Sequence, residues 1–221
     1  MKKPVWHLWE DTDRHPEENM RIDAALLERS EALDGAPLLR LYGWNRPSVT
    51  IGYTQKESAV PDRGNREIAK RPTGGGVVFH DNDLTYTVVA PAGHWIIDLD
   101  RVESYRVIHR ALTRALASFG LECLLTGEPA GHVDRATMRC FATPTKYDVL
   151  LADSGLKVAG AAQRRTKKGL LHQGSVALER VGRGKKELAE KLLQAFEAEF
   201  GIEFEPFAPE KHAIIQATKG E

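Results

Sequence analysis

Hydrophobic side chains recur every three or four residues in three segments of the chain, a spacing typical of amphipathic helices that bury one face. The segments are 17–33, 102–119 and 185–200. Gly35, Gly120 and Gly201 follow them closely, and glycine accepts the left-handed backbone that commonly ends a helix. We therefore predict three amphipathic helices, each closed by a glycine.

Shorter apolar runs bounded by turn residues lie between these helices and predict β-strands. The strand candidates are 38–44, 48–54, 77–80, 84–90, 147–152, 156–162 and 171–179. Turn sequences at 45–47, 81–83 and 153–155 join neighbouring candidates and predict hairpins. Because hairpins pair strands antiparallel, we predict an α+β fold with a mixed, largely antiparallel central sheet flanked by helices.

Composition and charge are ordinary for a soluble globular protein. The chain has 221 residues, of which 42% are hydrophobic and 28% charged, and its formal net charge is zero. It therefore has no overall field that attracts nucleic acid or a membrane surface. No apolar run approaches the roughly 18 residues that span a bilayer. Two cysteines make no disulfide framework, so we expect a cytoplasmic protein with free thiols.

The sequence KRPTGGG at 70–76 places Gly74, Gly75 and Gly76 at the start of a predicted strand. Each glycine costs a strand roughly 0.5–1 kcal/mol relative to alanine. That cost is understandable where a ligand lies against bare backbone, whose amide groups hold a carbonyl or phosphate oxygen while Arg71 adds positive charge. A flexible loop is the competing explanation of the three glycines.

Cys140 and Lys157 form a candidate catalytic pair. A thiolate is a strong nucleophile and a nearby ammonium lowers the pKa of a thiol, so the two groups together suit acyl transfer. Small residues such as Gly160 and Ala161 follow the lysine and leave room for an alkyl chain. Taken singly, a buried inert thiol and a surface amine are the commoner roles of these residue types, and Cys123 fits the first of them.

His80 and a basic cluster are weaker candidates. His80 stands beside Asp81 and suits a base or a hydrogen-bond donor to substrate, although a histidine next to an aspartate is more often structural. The cluster at 164–168, with Arg63, Arg66, Lys70 and Arg71, predicts a positive rim that attracts an acidic partner. A solvated loop is the alternative for the cluster.

Four segments in the same order resemble the biotin/lipoate protein ligase and acyltransferase superfamily. They are ENMRIDAALL at 18–27, LLRLYGWNRPSVTIGYTQ at 38–55, RPTGGGVVFHDNDLTYTV at 71–88 and GLKVAGAAQRRTKKGLLHQGSVAL at 155–178. The resemblance implies that Lys157 is catalytic and that no metal is bound. It implies substrate-binding roles for Arg71, Gly74, Gly75, Gly76, His80, Gly160 and Ala161.

Within this superfamily the chain most resembles the cysteine-dependent octanoyl-[acyl-carrier-protein]:protein N-octanoyltransferases. Cys140 precedes Lys157 at the distance seen in that branch, and the HDNDLT sequence at 80–85 is similar to its version of the hairpin. The resemblance implies that Cys140 carries octanoyl as a thioester, from acyl carrier protein to a lysine of a lipoyl domain, without a cofactor. Lys70, where arginine is common, and Gly76, which is more ligase-like, depart from the pattern.

The competing functions differ in the cofactors and catalytic residues that they require. An ATP-dependent lipoate–protein ligase would use the same lysine with ATP and Mg²⁺, and would need no cysteine. Octanoyl transfer between lipoyl-domain proteins and a non-catalytic lipoyl-domain binder are further alternatives. Only a short segment follows Glu179, so we expect one catalytic domain over 1–221 without a separate C-terminal accessory domain.

Overall fold

The computed structural model describes residues 2–127, 148–210 and 214. The strands it assigns there are β1 (Val5–Arg14), β2 (Leu38–Trp44), β3 (Ser48–Ile51), β4 (Glu67–Lys70), β5 (Val78–His80), β6 (Asp83–Pro91), β7 (Cys123–Leu125), β8 (Val149–Leu151), β9 (Lys157–Arg165), β10 (Gly169–Ala177) and β11 (Glu203–Pro206). The α-helices are α1 (Pro16–Glu28), α2 (Trp95–Asp98), α3 (Arg101–Ala117), α4 (Leu178–Val181) and α5 (Lys185–Phe200). Short 3₁₀ helices cover Ser30–Leu33 and Glu57–Ala59.

Within the described residues the strands form two sheets. The larger has the order β11-β1-β2-β6-β10-β9-β8-β7; β1 pairs parallel with β2 and β11, and the other neighbours pair antiparallel. The smaller has the order β4-β3-β5, with β3 parallel to β4 and antiparallel to β5. The predicted α+β fold, with a mixed, largely antiparallel sheet flanked by helices, is confirmed.

Alternate residues of β10 point to opposite faces of the larger sheet, a back face and a front face. The back face carries Leu170 and Val176, which pack with α3 and α5 in the main hydrophobic core. The front face carries Leu171, Gln173 and Ser175, and Leu171 packs with α1 in a second core. Because the smaller sheet also lies on the front, the Gly-rich segment 72–77 is held over that face.

The predicted helices form, with changes at their ends. Helix α5 spans the predicted residues and ends at Gly201, whose φ of 64° is left-handed. Helix α3 begins earlier than predicted because Asp100 caps it, accepting hydrogen bonds from the N–H groups of Val102 and Glu103. The first helix is shorter than predicted because Arg29 leaves the helical backbone at φ −113° and ψ 24°. Among the residues described, no helix has the length and apolar character to cross a bilayer.

Two of the three predicted hairpins are wrong. The turns at 45–47 and 81–82 carry the chain from one sheet to the other, so β2 does not pair with β3, nor β5 with β6. A strand has two edges, and those of β6 are taken by β2 and β10, while those of β3 are taken by β4 and β5. The third hairpin, β8 with β9, is confirmed.

Candidate functional site

A β-bulge at the start of β9 turns Lys157 toward the front face. The register pairs Val149 with Ala159 but Leu150 with Lys157, so β9 has one extra residue, Val158, at this point. Val158 and Ala159 both lie in the back-face core, as the two residues of a bulge can. Without the bulge, strand alternation would put Lys157 on the back face with Ala159.

Lys157 forms a buried ion pair with Asp148. Its Nζ lies 2.7 Å from Asp148 Oδ2, and the two side chains are 2% and 1% exposed. Gly160 provides the space, because a methyl group there would overlap Cε and Nζ of Lys157 and come within 2.9 Å of Asp148 Oδ1. Since Gly160 pairs with Ser175 on the front face, the ammonium is also held on that face.

The Gly-rich segment lies close to the same part of β9. A methyl group on Gly75 would lie 3.6 Å from Cβ of Ala162, two residues beyond Gly160 on the front face. Gly75 has a φ of 92°, which favours glycine, and a side chain at Gly52 would overlap its carbonyl oxygen. The backbone at Gly75 therefore lies against the strand that carries Lys157, while a side chain at Gly74 would meet no atom within 4 Å.

Arg71 shapes this segment from within. Its guanidinium donates to the carbonyl oxygens of Gly74 and Gly76 at 2.9 and 2.8 Å, and to the carbonyl and hydroxyl of Thr50 at 2.9 and 2.8 Å. The side chain is buried, at 6% exposure of the residue. Arg71 thus fixes the curve of the glycines, and its predicted contact with substrate remains a prediction.

A buried polar network anchors the segment to the larger sheet and to α1. Thr73 Oγ1 donates to Gln173 Oε1 at 2.7 Å, and Gln173 Nε2 donates to Asp23 Oδ2 at 2.7 Å. Asp23 also accepts from Tyr42 and Thr87 at 2.9 and 2.7 Å. The position of the glycines is therefore tied to a fully buried carboxylate of α1.

His80 is buried and uses both ring nitrogens within the protein. Nδ1 lies 2.8 Å from Asp83 Oδ2, Nε2 lies 2.8 Å from Thr50 Oγ1, and Trp44 stacks on the ring at a centroid distance of 4.1 Å. Burial pushes the pKa of Asp83 up, but attraction to His80 and hydrogen bonds from Ser175 and other groups hold it below its usual value. This geometry favours a scaffolding role for His80.

The remaining site candidates are dispersed. Ala161 pairs with Gly174 and points to the back face, away from Lys157.

The basic residues do not form one continuous rim of free charges. In the basic cluster, Arg165 donates to the carbonyls of Ile97 and Leu99 at 2.9 Å each. Arg164 is exposed and donates to Pro72 O at 3.2 Å, so it borders the Gly-rich segment. Arg66 pairs with Asp81 at 2.7 Å.

The two cysteines cannot be compared directly, because Cys140 lies outside the described residues. Cys123 is half-buried on β7 and packs against the main core. Burial, and then the charge of Asp153, raise the pKa of its thiol to about 11. Such a thiol is a poor nucleophile at neutral pH, which agrees with the structural role expected for Cys123.

Sequence reasoning missed three residues that build the site, namely Asp148, Thr73 and Gln173. Their partners are distant in the chain: Thr73 and Gln173 bond across 100 positions, and Gln173 and Asp23 across 150. Local spacing rules cover three or four residues on a helix and two on a strand, so they give no signal for such pairs. Within the described residues, no group of three His, Cys, Asp or Glu side chains is placed to hold a metal ion.

A buried lysine under a Gly-rich segment, on a mixed sheet with helices on both faces, defines the class of acyl-handling catalytic domains that the sequence resembles. The family model of the lipoyl protein ligase A/B catalytic domain matches residues 15–195. The chain belongs to this family.

Curated relatives that match this chain include octanoyltransferases. One from Anoxybacillus flavithermus is 34% identical over 189 residues, covering 80% of this chain and 67% of the relative. One from Bacillus subtilis (strain 168) is 30% identical over 190 residues, with 81% and 67% covered. Both are named octanoyltransferase LipM. The predicted class of acyltransferase agrees with these names, and the chain matches about two thirds of each relative's length.

Solved structures of similar fold include lipoate–protein ligases. A lipoate-protein ligase A bound with ATP aligns with a TM-score of 0.74 at 21% identity, covering 100% of this chain and 97% of the other. A bi-partite lipoate protein ligase from Thermoplasma acidophilum aligns with a TM-score of 0.74 at 20% identity, covering 96% and 91%. At these identities the likeness shows the fold.

Proposed function

We propose that the chain is a cytoplasmic octanoyltransferase that moves octanoyl from acyl carrier protein to a lysine of a lipoyl domain in lipoate biosynthesis. The observation that carries the proposal is the Lys157 ammonium, buried beside the Gly-rich segment on the front face. Both ligases and transferases would use such a lysine, so the choice between them rests on the octanoyltransferase relatives and on Cys140 in the sequence.

The proposed reaction has two steps and needs no ATP, because the thioester donor is already activated. The thiolate of Cys140 attacks the octanoyl carbonyl, the bond to the phosphopantetheine sulfur breaks, and that sulfur takes up a proton. The neutral amine of the acceptor lysine then attacks the acyl-enzyme. An amide forms, and the amine's proton goes to the Cys140 sulfur that leaves. The Gly-rich backbone and Arg71 are proposed to hold the substrate chain and its carbonyl.

The covalent step predicts an octanoyl adduct on Cys140 after incubation with octanoyl-acyl carrier protein. Peptide mass spectrometry of the trapped enzyme locates it. Cys140→Ser is expected to show no adduct and to lower the transfer rate by about 10³-fold or more. Cys123→Ser is the matched control and should keep both adduct and rate. Full transfer by Cys140→Ser would show that the covalent mechanism is wrong.

The second candidate function is an ATP-dependent lipoate ligase, favoured by the third glycine, Gly76, and by a fold shared with ligases. The same protein is given free lipoate or octanoate with ATP and Mg²⁺, and lipoyl-domain modification is measured. We expect modification from octanoyl-acyl carrier protein without ATP and little from the free acids. Modification that depends on ATP would favour the ligase.

Gly160→Ala should displace the amine of Lys157 without removing its charge. The new methyl group would displace the end of the Lys157 side chain and disturb the ion pair with Asp148. We expect the transfer rate to fall by about 100-fold, as when one group that stabilises transition-state charge is lost. The melting temperature should fall as well, because the disturbed ion pair is buried, although both charges are kept and alanine suits a strand better than glycine by about 0.5–1 kcal/mol. A near-normal rate would contradict the placement of Lys157 in the site.

A further inference from the structure

We propose that Asp148 is a positioning residue that keeps Lys157 charged and aimed at the front face, so that Lys157 acts as a fixed ammonium and not as a proton acceptor. This inference rests on the proposed octanoyl transfer and deepens it. Neither the sequence pattern nor the family match assigns a role to Asp148.

The contact itself supports a permanent charge on the lysine. Nζ and Oδ2 are 2.7 Å apart and both side chains are almost fully buried. At this depth a neutral amine would no longer offset the charge of the neighbouring carboxylate, and that loss is costly in a low-dielectric interior. The charged pair is therefore the stable form. To act as a base toward the acceptor amine, Lys157 would first have to lose a proton and give up this ion pair.

The backbone on both sides of the pair is held in place. The carbonyl oxygen of Asp148 accepts hydrogen bonds from the backbone N–H and from the hydroxyl of Thr126, each at 2.8 Å. The carbonyl oxygen of Lys157 accepts one from the guanidinium of Arg180. Because β8 and β9 are also paired beside the bulge, the distance between the two charges is fixed by the sheet.

Other candidates for the proton acceptor are already engaged. His80 uses its two ring nitrogens for Asp83 and Thr50. With Lys157 held as an ammonium, its contribution is electrostatic: it stabilises a thiolate and the negative oxygen that develops when the thioester carbonyl is attacked. The acceptor ammonium loses one proton to solvent before it attacks, and the second proton passes to the departing cysteine sulfur, so the proton balance closes without either residue.

The test compares Asp148→Asn with Asp148→Glu and with Asp153→Asn, an exposed aspartate in the turn before β9. The first readout needs no activity: trace acetylation of the Lys157 amine by acetic anhydride, followed by peptide mass spectrometry. Only a neutral amine reacts. We expect Asp148→Asn to raise Lys157 acetylation by about tenfold or more, while Asp148→Glu and Asp153→Asn leave it low.

The second readout is the kinetics of octanoyl transfer. Asp148→Asn should lower kcat by about 100-fold with little change in KM for octanoyl-acyl carrier protein, and Asp148→Glu should restore most of kcat. A merely structural role would lower the melting temperature for both variants and would not distinguish Glu from Asn.

The outcomes separate this inference from the proposed function. Unchanged acetylation in Asp148→Asn, or equal kcat in Asp148→Asn and Asp153→Asn, would overturn the role of Asp148. Absence of octanoyl transfer in the wild-type chain would instead overturn the proposed function, while the acetylation comparison would still decide whether Asp148 sets the charge of Lys157.

Discussion

Replacing Lys157 with methionine should lower the rate of octanoyl transfer by about 10²–10³-fold, as the loss of one preorganised charge does in other acyl-transfer sites. The single variant also removes the buried ammonium that pairs with Asp148, which should cost about 3–5 kcal/mol of stability. Steady-state transfer from octanoyl-acyl carrier protein and thermal unfolding measure the two effects.

A double variant separates these effects. Lys157→Met combined with Asp148→Asn removes both charges, so it should recover much of the stability but none of the activity. Lys186→Met, at an exposed position of α5, is the matched control and should keep both. A double variant that transfers octanoyl at a near-normal rate would exclude Lys157 from catalysis.

Replacing Arg40 with methionine should cause the largest loss of stability in the chain. Its guanidinium is fully buried and donates hydrogen bonds to Asp11, Asp23 and Asn19. The shortest bond to each of the three is 2.7 Å. It also lies 4.0 Å from the centre of the Tyr42 ring. Removing the cation takes the buried ion pair from Asp23 and leaves Asp11 paired with Arg14, which should cost about 3–5 kcal/mol. The unfolding midpoint should fall by about 6–20 °C for a chain of this size.

An exposed ion pair provides the control for the expected loss of stability in the Arg40 variant. Arg46 pairs with Glu67 at 2.5 Å, with the two side chains 46% and 37% exposed. Arg46→Met should therefore change stability by no more than about 1 kcal/mol. Equal midpoints for the Arg40 and Arg46 variants would contradict the argument from burial. Because Asp23 also bonds Gln173, we expect the Arg40 variant to loosen the Gly-rich segment before global unfolding.

The helices were predictable from sequence because their periodicity is a local property. The apolar face of α5 and the left-handed Gly201 suffice to give its bounds. The hairpins at 45–47 and 81–83 were not, because a turn signal shows where the chain reverses but not which strand edges are still free. Edge occupancy in β3 and β6 depends on strands far along the sequence.

The residues of the candidate site also fall into those that the sequence predicted and those that it did not. Lys157 and the glycines at 74–76 were found because their neighbours form contiguous motifs. Asp148 could not be found, since an aspartate before a short strand is common and its pairing depends on the register of β8 with β9. The hydrogen bonds that Arg71 and His80 make within the protein were also not predicted. Residue type alone does not distinguish a polar group that binds a ligand from one that binds other groups of the protein.

The extra residue at Val158 makes the position of the amine depend on the register of β9 as well as on the sequence. In a regular register Val158 would lie opposite Leu150, and Lys157 would lie on the back face, in the apolar layer that Val149 and Ala159 share with α3. The same residues therefore have two possible registers, and the bulged one alone presents the amine to the front face. A substitution that favours the regular register would thus remove the amine from the site without replacing any residue of the site itself.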